Sequence, residues 1–253
     1  MKRARDAADP PPPPRAALAA YPWPSDYSDH FETSPAAYAD IARGLDCVAK
    51  KLGKSRAELV IYDPYYCAGA MKAHLAALGF AAVLNEKTDC YAVWARGQTP
   101  AFDVLVTNPP FSDDNKKKAL AFALAQRAPF FLLLPTYTIT KAWFREAAAA
   151  AAPGRLLYAV PSAAYAYAHP EGTGAAAAPF ASLWVASGSA ALPTLLGQWR
   201  HGLQGAAAGR ALALVGSAAE AALAARLPTE KRKNPRQRKR LAARLGGGGG
   251  AGT

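Results

Sequence analysis

The sequence predicts an alternating α/β domain built on a mostly parallel sheet, and three stretches carry that prediction. Leu59-Val60-Ile61-Tyr62 reads as a short buried strand running straight into the loop Asp63-Pro64-Tyr65-Tyr66-Cys67-Ala68-Gly69. A helix and a second strand, Ala81 to Leu84, follow and end in Asn85-Glu86. Strand, glycine-bearing loop, helix and strand ending in an acid form the nucleoside-binding half of a doubly wound sheet. The third stretch is the apolar run Phe102 to Thr107, which ends in Asn108-Pro109-Pro110-Phe111. In an open parallel sheet the carboxyl ends of strands share one crevice. The loops at Asp63 and Asn108 are therefore expected to face a common ligand.

Each element has a local reason. Ser34-Pro35 offers an N-cap and a first-turn proline, after which Tyr38, Ile41, Leu45, Val48 and Leu52 recur at helical spacing up to Gly53. Met71, Leu75 and Leu78 share one face of the next helix, and Gly79 stops it. Residues 85 to 102 leave room for one short helix or a loop and no full strand. Pro129 to Pro135 reads as a fully buried strand, and Lys141 to Ala152 as a helix stopped by Pro153-Gly154. Arg155 to Val160 and Ser182 to Ala186 are expected to be strands. The loop between them, with Tyr165, Tyr167, His169 and Phe180, has the aromatic interleaving of a base-stacking surface. From Leu192 to Leu227 only a helix near Ala218 to Leu227 is predicted.

Asn108-Pro109-Pro110-Phe111 is the stretch with the clearest chemistry. Proline fixes φ and has no donor of its own, so two in a row stiffen the turn and leave the Pro109 carbonyl free to accept. The Asn108 side-chain carbonyl accepts a second N–H from the same group. Two fixed acceptors beside a flat ring grip a planar exocyclic amine.

These residues resemble those of the class I S-adenosylmethionine-dependent amino-methyltransferases. Asn108-Pro109-Pro110-Phe111 fits the family's catalytic [DN]-P-P-[FYW]. Asp63 to Gly69 resembles the cofactor loop D-P-x-x-G-x-G, with Cys67 at the first glycine. Phe31-Glu32-Thr33-Ser34-Pro35 resembles F-x-T-P with one residue more. The resemblance spans roughly residues 29 to 190. It implies a Rossmann-like, twisted, mostly parallel seven-stranded sheet with helices on both faces, and a methyltransferase domain at residues 29–228. It implies S-adenosylmethionine as cofactor, with Asp63, Tyr65 and Gly69 at its methionine part, Thr33 or Ser34 closing over that end, Asn85 or Glu86 at the ribose, and Asp89 at the adenine amine. Asn108, Pro109, Pro110 and Phe111 are the implied catalytic set, Phe111 stacking on the acceptor.

Charge points to a nucleic-acid partner, through the tails. Of the net +12, eight Lys/Arg without an acid lie between Lys231 and Arg244, and residues 1–15 add +2, so the stretch between is almost neutral. Lys231, Arg232, Lys233, Arg236, Arg238, Lys239 and Arg240 can bind phosphate by counterion release. The same run reads equally as a nuclear localisation signal. Residues 1–28, with Pro10 to Pro14, read as an unfolded arm, and residues 229–253, ending in a glycine run, as a disordered tail. Cys47, Cys67 and Cys90 have no metal or disulfide spacing, which predicts a reducing intracellular setting, nuclear or nucleolar before organellar. No apolar run reaches the roughly 20 residues of a membrane span.

Three functions remain open. The first is methylation of an exocyclic base nitrogen, adenine N6 or guanine N2, with RNA favoured over DNA because no separate duplex-reading domain fits in the chain. The second is N5-methylation of a protein glutamine, whose amide offers the same planar NH2. The third is a non-catalytic RNA-binding scaffold with a methyltransferase fold, which the side chain of Cys67 in the cofactor loop favours.

Overall fold

A computed structural model describes Asp29 and residues 31–151, 155–168, 181–188 and 212–226. The proline arm, the basic run from Lys231 to Arg240, His169 and Phe180 lie outside the described residues. Helix α1 (Pro35–Leu52) starts with proline in its first turn and ends at Gly53. Gly53 has φ +66°, a left-handed cap that lets Lys54 N–H reach back to the Ala49 carbonyl. Its buried face includes Tyr38, Ile41, Leu45 and Val48, four of the five residues whose spacing predicted it; the fifth, Leu52, is exposed in the last turn.

After it come β2 (Ile61–Tyr62), α2 (Ala70–Ala77), β3 (Val83–Leu84), α3 (Cys90–Ala95), β4 (Val104–Thr107), α4 (Asn115–Ala125), β5 (Phe130–Pro135) and α5 (Ala142–Ala150). A 3-10 turn, Thr136–Thr140, joins the last two. The strands β6 (Leu156–Pro161), β8 (Ser182–Ser187) and β9 (Leu212–Val215) precede α6 (Ala218–Ala224). One seven-stranded sheet has the order β3-β2-β4-β5-β8-β6-β9. Strands β2 to β5 are parallel, β8 runs antiparallel to β5 and β6, and β9 runs antiparallel to β6.

Side-chain alternation builds two cores, one on each face of the sheet. Phe131, Leu133 and Trp184 point to the face covered by α1 and α2, whereas Phe130, Leu132 and Leu134 point to the face covered by α4, α5 and α6. Trp184 is fully buried and donates its indole N–H to the Ala37 carbonyl at 3.1 Å, tying α1 to β8. Apart from the sheet, β1 (Glu32–Thr33) pairs antiparallel with β7 (Tyr167–Ala168) as a two-stranded ribbon.

The predicted strand–loop–helix–strand half is present, as is the antiparallel pair β6–β8. Between β3 and β4 only α3 forms, so the sheet ends at β3. Two features differ from expectation. Strand β9 lies in a stretch with no predicted strand; it is a four-residue edge strand, Ala213 exposed and Leu212, Leu214 and Val215 half-buried. Tyr165 and Tyr167 are core residues and not a base-stacking surface: Tyr165 donates to Asp40 at 2.7 Å and Tyr167 to Ser182 at 2.8 Å. Among the described residues no helix is long and apolar enough to cross a membrane.

Candidate active site

A cleft opens at the carboxyl ends of β2, β3 and β4, and both predicted loops reach it: Asp63, Tyr65, Cys67, Gly69, Asn85 and Asn108 line its walls. Strand β1 closes the near side with Glu32 and Thr33. The crossover order makes this meeting possible. Ile61 and Tyr62 are in register with Val104 and Leu105, so the residues just past them emerge side by side.

Asp63 is the best-anchored member. Its Oδ1 accepts from the Thr107 hydroxyl at 2.5 Å and from the Tyr65 amide at 3.1 Å. Burial pushes its carboxyl pKa up to about 7; those two hydrogen bonds oppose the shift and nearby Glu32 adds to it. Asn85, also buried, donates to the Asp63 carbonyl at 3.1 Å and the Tyr65 carbonyl at 3.4 Å, splinting the two strand ends together. Gly69 has φ +86°, which a side chain rarely tolerates, and the Tyr66 ring lies 3.5 Å from the place a Cβ would take. Burial and the neighbouring Glu32 carboxylate push the Cys67 thiol up to about 12, keeping it neutral.

Glu32 spans the gap between β1 and the loop. Its Oε1 accepts from the Ala68 amide at 2.6 Å and the Ala70 amide at 3.4 Å, where α2 begins. Among the described residues, the cleft lining thus carries two carboxyl groups, Glu32 and Asp63, and no Lys or Arg. Tyr38 adds a buried phenol whose hydroxyl meets Thr33 and whose pKa burial raises.

The Asn108 loop is held from behind. Asp29 Oδ1 accepts from the Phe111 amide at 3.1 Å and the Ser112 amide at 3.0 Å, while its Oδ2 takes the Ser112 hydroxyl. Lys116 donates to the Phe111 carbonyl. Burial lowers the pKa of this ammonium. Against that fastening, the Asn108 Oδ1 is buried and has no hydrogen-bond partner among the described residues. Pro109 is buried and Pro110 and Phe111 are half-buried, and of the four predicted catalytic residues only Asn108 is in the cleft lining.

The remaining sequence-predicted residues stand elsewhere. Ser34 occupies the N-cap of α1 with a buried, unpartnered hydroxyl and is not in the cleft lining, whereas Thr33 is. Glu86 is exposed and pairs with Lys72 at 2.9 Å. Asp89 caps α3, its Oδ1 accepting from the Tyr91 amide at 3.0 Å and the Ala92 amide at 3.3 Å. Neither acid belongs to the lining. Among the described residues no group of His, Cys, Asp or Glu converges as a metal ion requires. Sequence reasoning missed Glu32 and Asp29, whose partners lie 36 and 82 residues away. No local spacing signals such a contact.

The sequence matches no protein-family model, and no curated protein is significantly similar to it.

Proposed function

We propose that this chain transfers a methyl group from S-adenosylmethionine to an exocyclic amino nitrogen of a nucleic-acid base, adenine N6 or guanine N2, with RNA favoured over DNA. The observation that carries the reading is the unpaired Asn108 Oδ1. A buried acceptor left unpaired costs about 1–3 kcal/mol, and an N–H donor on the acceptor substrate removes that penalty. The cleft supports the choice of cofactor: two carboxyls, with no competing Lys or Arg among the described lining residues, suit a ligand bearing positive charge. The alternating α/β architecture and the β6–β8 pair agree with the class I methyltransferase sheet that the motifs imply.

S-adenosylmethionine, when bound, supplies a methyl group activated on a sulfonium. Asp63 and Glu32 hold the cationic end, the Gly69 turn lets the backbone come close, and Asn85 keeps the loop in place. Asn108 Oδ1 accepts one N–H of the acceptor amine and the Pro109 carbonyl accepts the other. That grip turns the nitrogen lone pair out of conjugation and toward the donor. The chemistry is mainly positioning by preformed dipoles. Phe111 stacks on a base that enters unpaired or flipped out. A surface for the rest of the strand adjoins the site: exposed Tyr137, just beyond β5, has the Lys141 ammonium 5.5 Å from its ring centre, and Lys117 and Lys118 are exposed at the start of α4.

A non-catalytic scaffold is the second reading, and one observation favours it: Glu32 already occupies the Ala68 and Ala70 amides at the mouth of α2. Calorimetry separates the two. The enzyme reading expects S-adenosylmethionine to bind well below millimolar concentration, and no heat up to that range sinks it. Given binding, labelled methyl transfer to total RNA, DNA and protein fractions is expected to mark RNA. Label confined to protein makes the acceptor a glutamine amide.

A further inference from the structure

A continuous run of hydrogen bonds crosses from the loop after β2 to the loop after β4, by way of the Tyr65, Tyr91 and Asn115 side chains. The Tyr65 and Tyr91 hydroxyls are 3.1 Å apart. Tyr91 donates to Asn115 Oδ1 at 2.5 Å, and Asn115 Nδ2 reaches the Ser112 carbonyl and the Ser112 hydroxyl oxygen, each at 3.2 Å. Ser112 is in turn held by Asp29 through both its amide and its hydroxyl.

Packing makes this run stiff. Trp94 meets both tyrosine rings edge-on, at 6.1 Å from Tyr65 and 5.3 Å from Tyr91, and lies flat on Phe122 at 3.9 Å. The Lys118 ammonium sits 4.7 Å above the Tyr91 ring. With its own proton on Asn115, the Tyr91 hydroxyl accepts from Tyr65. The Asn115 amide can serve both neighbours only because its oxygen accepts while its nitrogen donates.

We propose that Tyr91 and Asn115 are positioning residues that couple the two halves of the cleft, fixing the Asn108 loop relative to the loop that begins at Asp63. The coupling itself is a property of the fold. Its use, setting the distance between methyl donor and acceptor amine, rests on the methyl-transfer reading. A misplacement of about 1 Å at such a distance can cost about a hundredfold in rate.

Hydrogen exchange on the full chain without ligand tests the coupling. Tyr91→Phe keeps the ring and its packing and deletes only the hydroxyl, which bonds neither Phe111 nor Ser112. It is expected to raise exchange at both of those amides by about threefold or more. Asn115→Ala is expected to do the same, and the double variant to add nothing further, as for two links in one chain. Unchanged exchange at Phe111 and Ser112 in either single variant overturns the proposal, and so does an additive double variant. Given turnover, Tyr91→Phe is expected to lower kcat at least tenfold while the KM for S-adenosylmethionine stays within about threefold; equal losses in both overturn the positioning role. Absence of S-adenosylmethionine binding sinks the methyl-transfer reading and leaves the exchange result standing.

Discussion

The loop after β2 and the loop after β4 face the same cleft and are finished differently. In the first, the groups facing the cleft are already spoken for: Asp63 by Thr107 and Tyr65, the Ala68 and Ala70 amides by Glu32, and the Asn85 amide nitrogen by two backbone carbonyls. In the second, the backbone is fastened from behind by Asp29 and Lys116, and the side chain facing forward is left with an unpaired buried oxygen. A buried polar group bonded internally stabilises the fold, whereas an unsatisfied one calls for a partner from outside; of the unsatisfied atoms among the described residues, only Asn108 Oδ1 belongs to a residue of the cleft lining. Function should therefore depend more on the second loop, and stability more on the first.

The largest loss of function is expected from Asn108→Ala. Methyl transfer is expected to fall by about 10²–10³-fold, while the melting temperature holds or rises, because no hydrogen bond is lost. Labelled transfer and a thermal melt on the same sample decide this, and retained activity removes Asn108 from the mechanism. Asp29→Ala unfastens the loop and leaves Asn108 in place. It is expected to lower kcat by about a hundredfold, with S-adenosylmethionine affinity nearly unchanged by calorimetry.

Asp63 probes the first loop through pH. Its pKa is about 7 in the folded protein against 3.8 when solvated, so between those values the folded state holds the extra proton and stability falls as pH rises. Asp63→Asn should abolish that fall and flatten the melting temperature between pH 5 and 8. A cationic ligand favours the ionised carboxyl, so wild-type affinity for S-adenosylmethionine should climb by up to about tenfold per pH unit below pH 7 and level off above it. A flat affinity profile would separate Asp63 from the charged end of the ligand. The smallest effect belongs to Asp89→Ala: loss of the α3 cap should lower stability by about 1 kcal/mol in denaturant melts and shift cofactor affinity less than twofold, since Asp89 is outside the lining.

The sheet and the two loops were legible because each has a local cause. Apolar runs fix β4 and β5, the helical spacing of Tyr38, Ile41, Leu45 and Val48 fixes α1, and strand ends on one side bring Asp63 and Asn108 together. What escaped has a distant cause. Glu86 and Asn85 are adjacent acid and amide at a strand end, yet only the burial of Asn85 at 2% exposure shows which of them faces the cleft. Tyr165 and Tyr167 have the composition of a binding loop and the surroundings of a core, because Asp40 and Ser182 take their hydroxyls out of solvent. Strand β9 pairs with β6 across a long stretch of chain, and its apolar residues, Leu212 to Val215, follow an alanine- and glycine-rich run that blurs where a strand begins.

The shortness of β3 bears on solubility. An exposed sheet edge is a template on which another chain can add a strand, and proteins guard such edges by keeping them short or charged. With only Val83 and Leu84 in the outer strand, and exposed Glu86 and Lys87 immediately after it, this side of the sheet gives an incoming strand almost nothing to register against. Omitting a strand beyond β3 thus leaves a blunt border, and lengthening β3 by substituting β-branched residues at positions 86 and 87 would turn that border into a site for aggregation.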